Sequence, residues 1–214
     1  MSRAIQFAAG IGYLVVLVQA MRDVAAGMLV PSVVVASFFA YAVAAEIMLG
    51  RARASRGPRT QVAAGVAQWA PLFGWVPYAV VAFRLGPELK LPEPTTAVGV
   101  GLTAGGIALA LWALVTIGRH FDLELEVHRD HEVVRHGPYR LVRHPIYAGL
   151  LLHTIGACLA TGNALFAAGS LVVTLPLLVL RARTEERMLR RELGSAYDAY
   201  AREVGMLIPF VGRT

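Results

Sequence analysis

Six apolar segments, three of them at or above the ~20 residues a helix needs to cross a bilayer and the first and last two shorter, leave this chain few ways to fold. They lie at Ile5–Met21, Met28–Leu49, Val62–Phe83, Thr96–Ile117, Ile146–Ala160 and Ala164–Leu180. In hydrocarbon every backbone N–H and C=O must be satisfied within its own segment. The expected fold is therefore an all-α integral membrane protein with six transmembrane helices, or five if one short segment is re-entrant. Only Thr161-Gly162-Asn163 separates the last two segments, which predicts a tight antiparallel hairpin. The first segment is long, lacks a small-x-small cleavage site and is followed by further spans, so it is expected to be a span rather than a cleavable signal. An apolar share of 57%, with 21 glycines placed largely inside apolar runs, fits packed membrane helices.

The basic residues orient these spans. With the N-terminus inside, only Arg22, Arg84 and Lys90 of the 20 basic residues fall on the outer side, and 17 fall on the inner side. Such a split predicts cytoplasmic N- and C-termini in a plasma or inner membrane. It also explains the net charge of +6 without nucleic acid, because the arginines flank spans rather than line one amphipathic face. Glu46, near the cytoplasmic end of the second span, is expected to snorkel or to pair with Arg51 or Arg53. Cys158 is the single cysteine, so no disulfide framework is expected. His128, His131 and His136 match no standard ligand spacing, and no metal is expected.

Chain organisation divides at residue 118. Residues 1–118 supply membrane spans, and residues 119–214 form a catalytic half within the same structural domain. That half holds two polar blocks on one side of the membrane: His131–Tyr147, reading HEVVRHGPYRLVRHPIY, and Arg181–Gly194, reading RARTEERMLRRELG. Soluble-enzyme signatures such as G-x-G-x-x-G, G-x-S-x-G and H-E-x-x-H are missing from the sequence. A site must instead be assembled from the two blocks, giving a cofactor pocket at the cytoplasmic face. Pro145 suits the first helical position of the fifth span, where its missing N–H costs nothing. Arg143 and His144 then sit at a helix N-terminus, where free N–H groups favour a ligand carboxylate or hydroxyl. Arg143 is accordingly a candidate catalytic residue. Before the first block, Phe121–Val127 alternates polar and apolar residues like an extended segment. After the second, Leu189, Leu193, Ala196, Tyr197 and Tyr200 recur at helical spacing, with a break expected at Gly194. The apolar end, Gly205–Phe210, is expected to tuck against the membrane surface.

The ordered pieces H-x-x-V (His131–Val134), G-P-Y-x-x-x-R-H-P-x-Y-x-G (Gly137–Gly149) and R-x-x-x-E-E-x-x-L-x-x-x-x-G-x-x-Y-x-x-Y (Arg181–Tyr200) resemble the isoprenylcysteine carboxyl methyltransferase family. The likeness spans roughly Trp112–Phe210. It implies a membrane enzyme that uses S-adenosyl-L-methionine. Carried over position by position, it implies that His131, Glu132, Val133 and Val134 line the cofactor. Tyr139, His144, Pro145, Ile146 and Tyr147 would wrap it, and Glu185 would bind it. Glu124 falls where the family supplies one more cofactor contact. Arg181 matches the residue that holds the acceptor, and counts as catalytic on that ground. The family's H-T-L-V stands here as H-E-V-V, with an acid at Glu132.

The implied function is methyl transfer to a lipophilic, membrane-embedded or prenylated acceptor through a carboxylate or hydroxyl, with the bilayer as partner. Methyl transfer of this kind asks mainly for alignment and exclusion of water, worth up to about 7–11 kcal/mol. One alternative is a sterol-reductase-like NADPH-dependent oxidoreductase, whose relatives also carry R-H-P-x-Y. Another is a non-enzymatic membrane protein, which would need more polar residues deep in its spans.

Overall fold

The computed structural model describes residues 27–54, 59–60, 75–92, 94–118, 127–128 and 133–213, together with Val18 and Arg22. The described chain is almost wholly helical. The long elements are α1 (Leu29–Ala54), α2 (Trp75–Leu85), α3 (Pro94–Ile117) and α4 (Pro145–Thr161). They are followed by α5 (Ala164–Gly169), a π-helical turn (Ser170–Thr174), α6 (Leu175–Leu193) and α7 (Ser195–Glu203). A single two-residue antiparallel ladder pairs β1 (Arg59–Thr60) with β2 (Val127–His128). Of the expected extended run at 121–127, only Val127 falls within the described residues.

Among the described residues, two helices are long and apolar enough to cross a membrane, Thr95–Ile117 and Ala164–Leu193, and two shorter apolar stretches are Leu29–Ala45 and Pro145–Thr161. The expected first span, most of the third and the Glu46 side chain lie outside the described residues. α5, the π-turn and α6 run on as one rod of 30 residues. The expected span ended at Leu180, but nothing between Arg181 and Leu193 stops a helix, so the polar block continues it. The π-turn lies just before Pro176, whose ring clashes with the carbonyl four residues back, and the widened turn relieves that clash. Gly194, with φ 52° and ψ −129°, ends the rod where a break was expected.

Small residues set the tightest packing. α3 and α4 run antiparallel along a seam of Gly99, Thr103, Gly106 and Ala110 against Gly149, His153, Gly156 and Ala160. A Cβ on Gly106 would lie 2.4 Å from the His153 backbone N, and one on Gly149 would lie 2.6 Å from the Gly106 carbonyl. Only glycine allows that approach, which is how membrane helices gain packing without a hydrophobic drive. α1 and α2 cover the pair with Phe38, Tyr41, Trp75 and Phe83, and Phe166 of α5 closes the core. Trp75 stacks on Phe38 at 4.4 Å between centroids. Fully buried His153 meets Ser37 Oγ at 3.0 Å within this core.

The hairpin turn is fixed by Asn163. Its side-chain oxygen caps α5 by accepting from Phe166 N at 2.8 Å, and its amide nitrogen donates to the Ala82 and Gly86 carbonyls at the end of α2. Leu89 N donates to the Gly162 carbonyl at 2.7 Å. The 84–92 loop and the 161–163 turn therefore share one end of the bundle. Both polar blocks meet at the other.

Candidate functional site

The site grows from Pro145. It opens α4 with His144 as the capping residue, and the preceding Gly137–Arg140 forms a 3₁₀ turn started by Gly137 at φ 58°. That geometry buries Tyr139, Arg143 and His144 between the start of α4 and the polar end of α6. α6 presents Arg181, Glu185 and Glu186 toward them.

Two arginine–glutamate pairs organise the chemistry, and they differ in kind. The first is direct. Arg143 Nη2 lies 2.6 Å from Glu186 Oε1, and its Nε donates to the same oxygen at 2.7 Å. The remaining guanidinium hydrogens are spent on carbonyls: Nη1 on Ala201 and Val204, and Nη2 on Gly212 at 3.0 Å. His144 Nε2 lies 3.3 Å from the same Glu186 oxygen. Burial alone would raise the Glu186 carboxyl, but hydrogen bonds and charge from His144 and Arg143 hold it below the ordinary carboxylate value.

The second pair is relayed. The Tyr147 hydroxyl donates to Glu185 Oε2 at 2.8 Å and accepts from Arg181 Nε at 2.7 Å. The Arg181 guanidinium carbon also sits 5.9 Å from the Tyr147 ring centre. His144 stacks on Tyr147 at 5.6 Å, nearly parallel, and its Nδ1 lies 3.8 Å from Glu185. Arg181 is only 6% exposed although it follows the last apolar residue of the span.

The C-terminal strap completes one wall. Val142 bridges Gly205, Arg143 N donates to the Gly205 carbonyl at 2.8 Å, and His144 N donates to the Met206 carbonyl at 3.1 Å. The expected tucked end is thus fastened to the first polar block, while Ile208, Phe210 and Val211 remain exposed. α7 packs Tyr197, Tyr200 and Ala201 against Val133, Leu189 and Leu193. The Tyr200 hydroxyl donates to the Tyr139 carbonyl at 2.6 Å. The Tyr197 hydroxyl is buried without a hydrogen-bond partner among the described residues. Burial, then the Glu186 and Glu185 charges, raise its phenol, so it stays a neutral donor.

Of the expected site residues, Tyr139, Arg143, His144, Pro145, Ile146, Tyr147, Arg181 and Glu185 converge at this end, with Val133 alongside α7 and Val134 next to it in the chain. Glu124, His131 and Glu132 lie outside the described residues. Arg143, expected as catalytic, has its guanidinium committed to Glu186 and three carbonyls, a fastening role. Glu186 and the orphaned Tyr197 hydroxyl carried motif positions but no expected role. Buried His153 was missed altogether, because one histidine in an apolar run gives no pairing signal.

Known proteins resemble this chain. A sequence profile described as the Isoprenylcysteine carboxyl methyltransferase (ICMT) family matches residues 99–191. A protein named probable protein-S-isoprenylcysteine O-methyltransferase from Oryza sativa subsp. indica is 33% identical over 129 residues, covering 59% of this chain and 68% of the relative. The chain belongs to the isoprenylcysteine carboxyl methyltransferase family. Members of this family are membrane methyltransferases. The solved structure of the eukaryotic intramembrane Ras methyltransferase ICMT aligns with TM-score 0.52 and 27% identity, over 69% of this chain and 51% of that one. The chain thus matches about half the length of that structure. Methanethiol S-methyltransferase of Pseudomonas sp. (strain GM41(2012)) is 38% identical over 72 residues, 33% of this chain and 26% of the relative.

Proposed function

We propose that this protein transfers a methyl group from S-adenosyl-L-methionine to the polar end of a lipophilic acceptor lying in the bilayer. The observation that carries the reading is the relay from Glu185 through Tyr147 to Arg181. It sets an acid suited to a cationic donor one helical turn from a guanidinium suited to an anionic acceptor.

The residues present suit the cofactor. Glu185 and the orphaned Tyr197 hydroxyl offer an acceptor and a donor beside apolar Val133, which matches a ligand with a charged sulfonium and a polar nucleoside. Tyr139, His144, Pro145, Ile146 and Tyr147, with Val134 and, by family resemblance, Glu124, His131 and Glu132, would hold it. When bound, it supplies an electrophilic methyl group, so neither a metal nor a covalent enzyme intermediate is needed. Arg181 then orients the acceptor oxyanion, and its planar fork offers a grip that lysine lacks. Glu185 and Tyr147 fix the guanidinium plane. Arg143 acts as a positioning residue that closes the C-terminal wall and keeps water out.

An acceptor entering sideways from the bilayer and a soluble donor entering from the cytoplasm would meet at this boundary. Relatives are named for O-methylation of isoprenylcysteine and for S-methylation of methanethiol, which supports an oxygen or sulfur acceptor atom. Two measurements test the reading. Calorimetry should show S-adenosylhomocysteine binding and no NADPH binding; the reverse would favour a sterol-reductase-like oxidoreductase. Radiolabelled methyl transfer into a total lipid extract, with mass identification of the product, should then name the acceptor.

A further inference from the structure

One face of the α5–α6 rod is exposed from Val172 to Arg191. Its exposed positions run Val172, Val173, Pro176, Leu180, Arg183, Arg187 and Arg191, close to every fourth residue. The face is apolar as far as Leu180, 57% exposed, and beyond it carries the three arginines and the Thr184 hydroxyl. Arg183, Arg187 and Arg191 stack at i, i+4 and i+8, a spacing at which like charges repel. Among the described residues no carboxylate pairs with any of the three: Glu186 goes to Arg143, Asp198 to Arg190 and Glu203 to Arg135. Arg187 reaches only the Arg183 carbonyl and Thr184 Oγ1 within its own helix. Three arginines held in mutual repulsion on an exposed face call for an anionic partner. The apolar half of the same face says where that partner is.

We propose that Arg183, Arg187 and Arg191 form a docking stripe for anionic phospholipid headgroups of the surrounding bilayer. The proposal rests on the membrane reading of the rod. At 1.5 Å per residue the stripe is about 12 Å long. Counted from Leu180, Arg183 lies about 4.5 Å and Arg187 about 10.5 Å along the rod. The interfacial layer beyond the hydrocarbon is roughly 5–8 Å deep on each side, so Arg183 lies within it and Arg187 and Arg191 lie within about a Debye length of its outer edge. The opposite face of the same helix turns carries Arg181 and Glu186 inward. Headgroups gripping the stripe would therefore fix how deep Arg181 sits relative to the bilayer surface, where a lipid-borne acceptor presents its reactive end.

The test uses the full chain reconstituted in liposomes of equal phosphatidylcholine and phosphatidylglycerol, with retained lipids counted by native mass spectrometry. Each basic residue near a charged surface is worth about fivefold in lipid affinity. Wild type should retain phosphatidylglycerol over phosphatidylcholine by at least about tenfold. R183Q/R187Q/R191Q should bring the ratio near one while S-adenosylhomocysteine binding is unchanged, and the triple lysine variant should keep most of the preference. An unchanged ratio in the glutamine variant, or no preference in wild type, overturns the stripe. Should the triple variant not fold, R187Q alone is expected to lose about fivefold, and an unchanged ratio there is equally decisive against it. Retention of neither lipid by wild type would instead fail the membrane reading.

Discussion

Arg181 and Glu185 are joined through the Tyr147 hydroxyl, which accepts from Arg181 Nε at 2.7 Å and donates to Glu185 Oε2 at 2.8 Å. Residues four apart on a helix ordinarily meet as a simple surface pair worth a few tenths of a kcal/mol. Here a third residue from another helix stands between them, and Arg181 is buried. The arrangement makes each side chain's orientation depend on the others.

Tyr147→Phe should therefore damage both halves of the site while sparing the fold. Donor affinity and transfer rate are both expected to fall, because the buried Arg181 guanidinium and the half-buried Glu185 carboxylate each lose a partner, at a cost of up to about 1–3 kcal/mol. Calorimetry with S-adenosylhomocysteine and a turnover assay would check this. A variant impaired in neither would mean the relay is ornamental.

The Arg143–Glu186 pair predicts acid sensitivity. Glu186 has a lowered carboxyl in the fold, so its contribution is fully present above the unfolded carboxylate value of about 4.3 and is lost as pH falls through the lower folded value. Glu186→Gln should flatten the acid limb of the stability profile. Arg143→Gln takes the guanidinium from a buried carboxylate, leaving His144 as its partner, and should cost up to about 3–5 kcal/mol. Thermal melts across pH 3–7, a range of about four units around that value, read both effects.

Gly149→Leu should unseat α4 from α3. A Cβ at Gly149 already lies 2.6 Å from the Gly106 carbonyl and 2.7 Å from Ala110 N, so the helices must separate along their length. Overpacking of this kind costs about 1–3 kcal/mol or more. Because His144 and Tyr147 ride on α4, lost donor binding should accompany the lower melting temperature. Gly101→Leu, where a Cβ meets open space, serves as the control.

Topology can be checked at the two ends of the bundle. In a Cys158→Ser background, a cysteine at exposed Glu88 should react with an impermeant reagent from outside, and one at exposed Ser195 only after access from the cytoplasm. The opposite pattern would invert the expected orientation.

Much of this molecule was legible before its structure. Apolar length located α3, α4 and the hairpin, Thr161-Gly162-Asn163 gave the turn, and Gly194 gave the break. The motif gathered Tyr139, His144, Tyr147, Arg181 and Glu185. What escaped depended on long-range geometry. An arginine beside R-H-P looks the same whether it grips a substrate or a distant backbone, and only the position of Val204 and Gly212 shows Arg143 to be a fastener. Helical spacing through Leu189 and Leu193 marked the polar block as helix. That it continues the last span as one unbroken rod was not legible, because hydropathy ends at the membrane boundary while helix propensity does not. Asn163 looked like turn chemistry alone, yet two of its hydrogen bonds run to α2.

The sharpest division of labour to test lies between Arg181 and Glu185. If Arg181 were no more than a topology charge, Arg181→Lys would keep its function. In the structure, however, the guanidinium Nε is committed to Tyr147. A lysine ammonium, although it has three N–H donors, lacks the planar fork that could hold that bond and grip an acceptor in two places. Transfer should fall by at least about tenfold, equivalent to roughly 1.4 kcal/mol of transition-state stabilisation. Donor affinity should stay near wild type, because Glu185 keeps its bond to Tyr147. Glu185→Gln should do the opposite, raising the donor dissociation constant before it slows the chemical step. Single-turnover rates at saturating donor separate the two effects. Normal turnover by Arg181→Lys with an identified acceptor would remove the substrate role and leave Arg181 as a positioning residue for Tyr147.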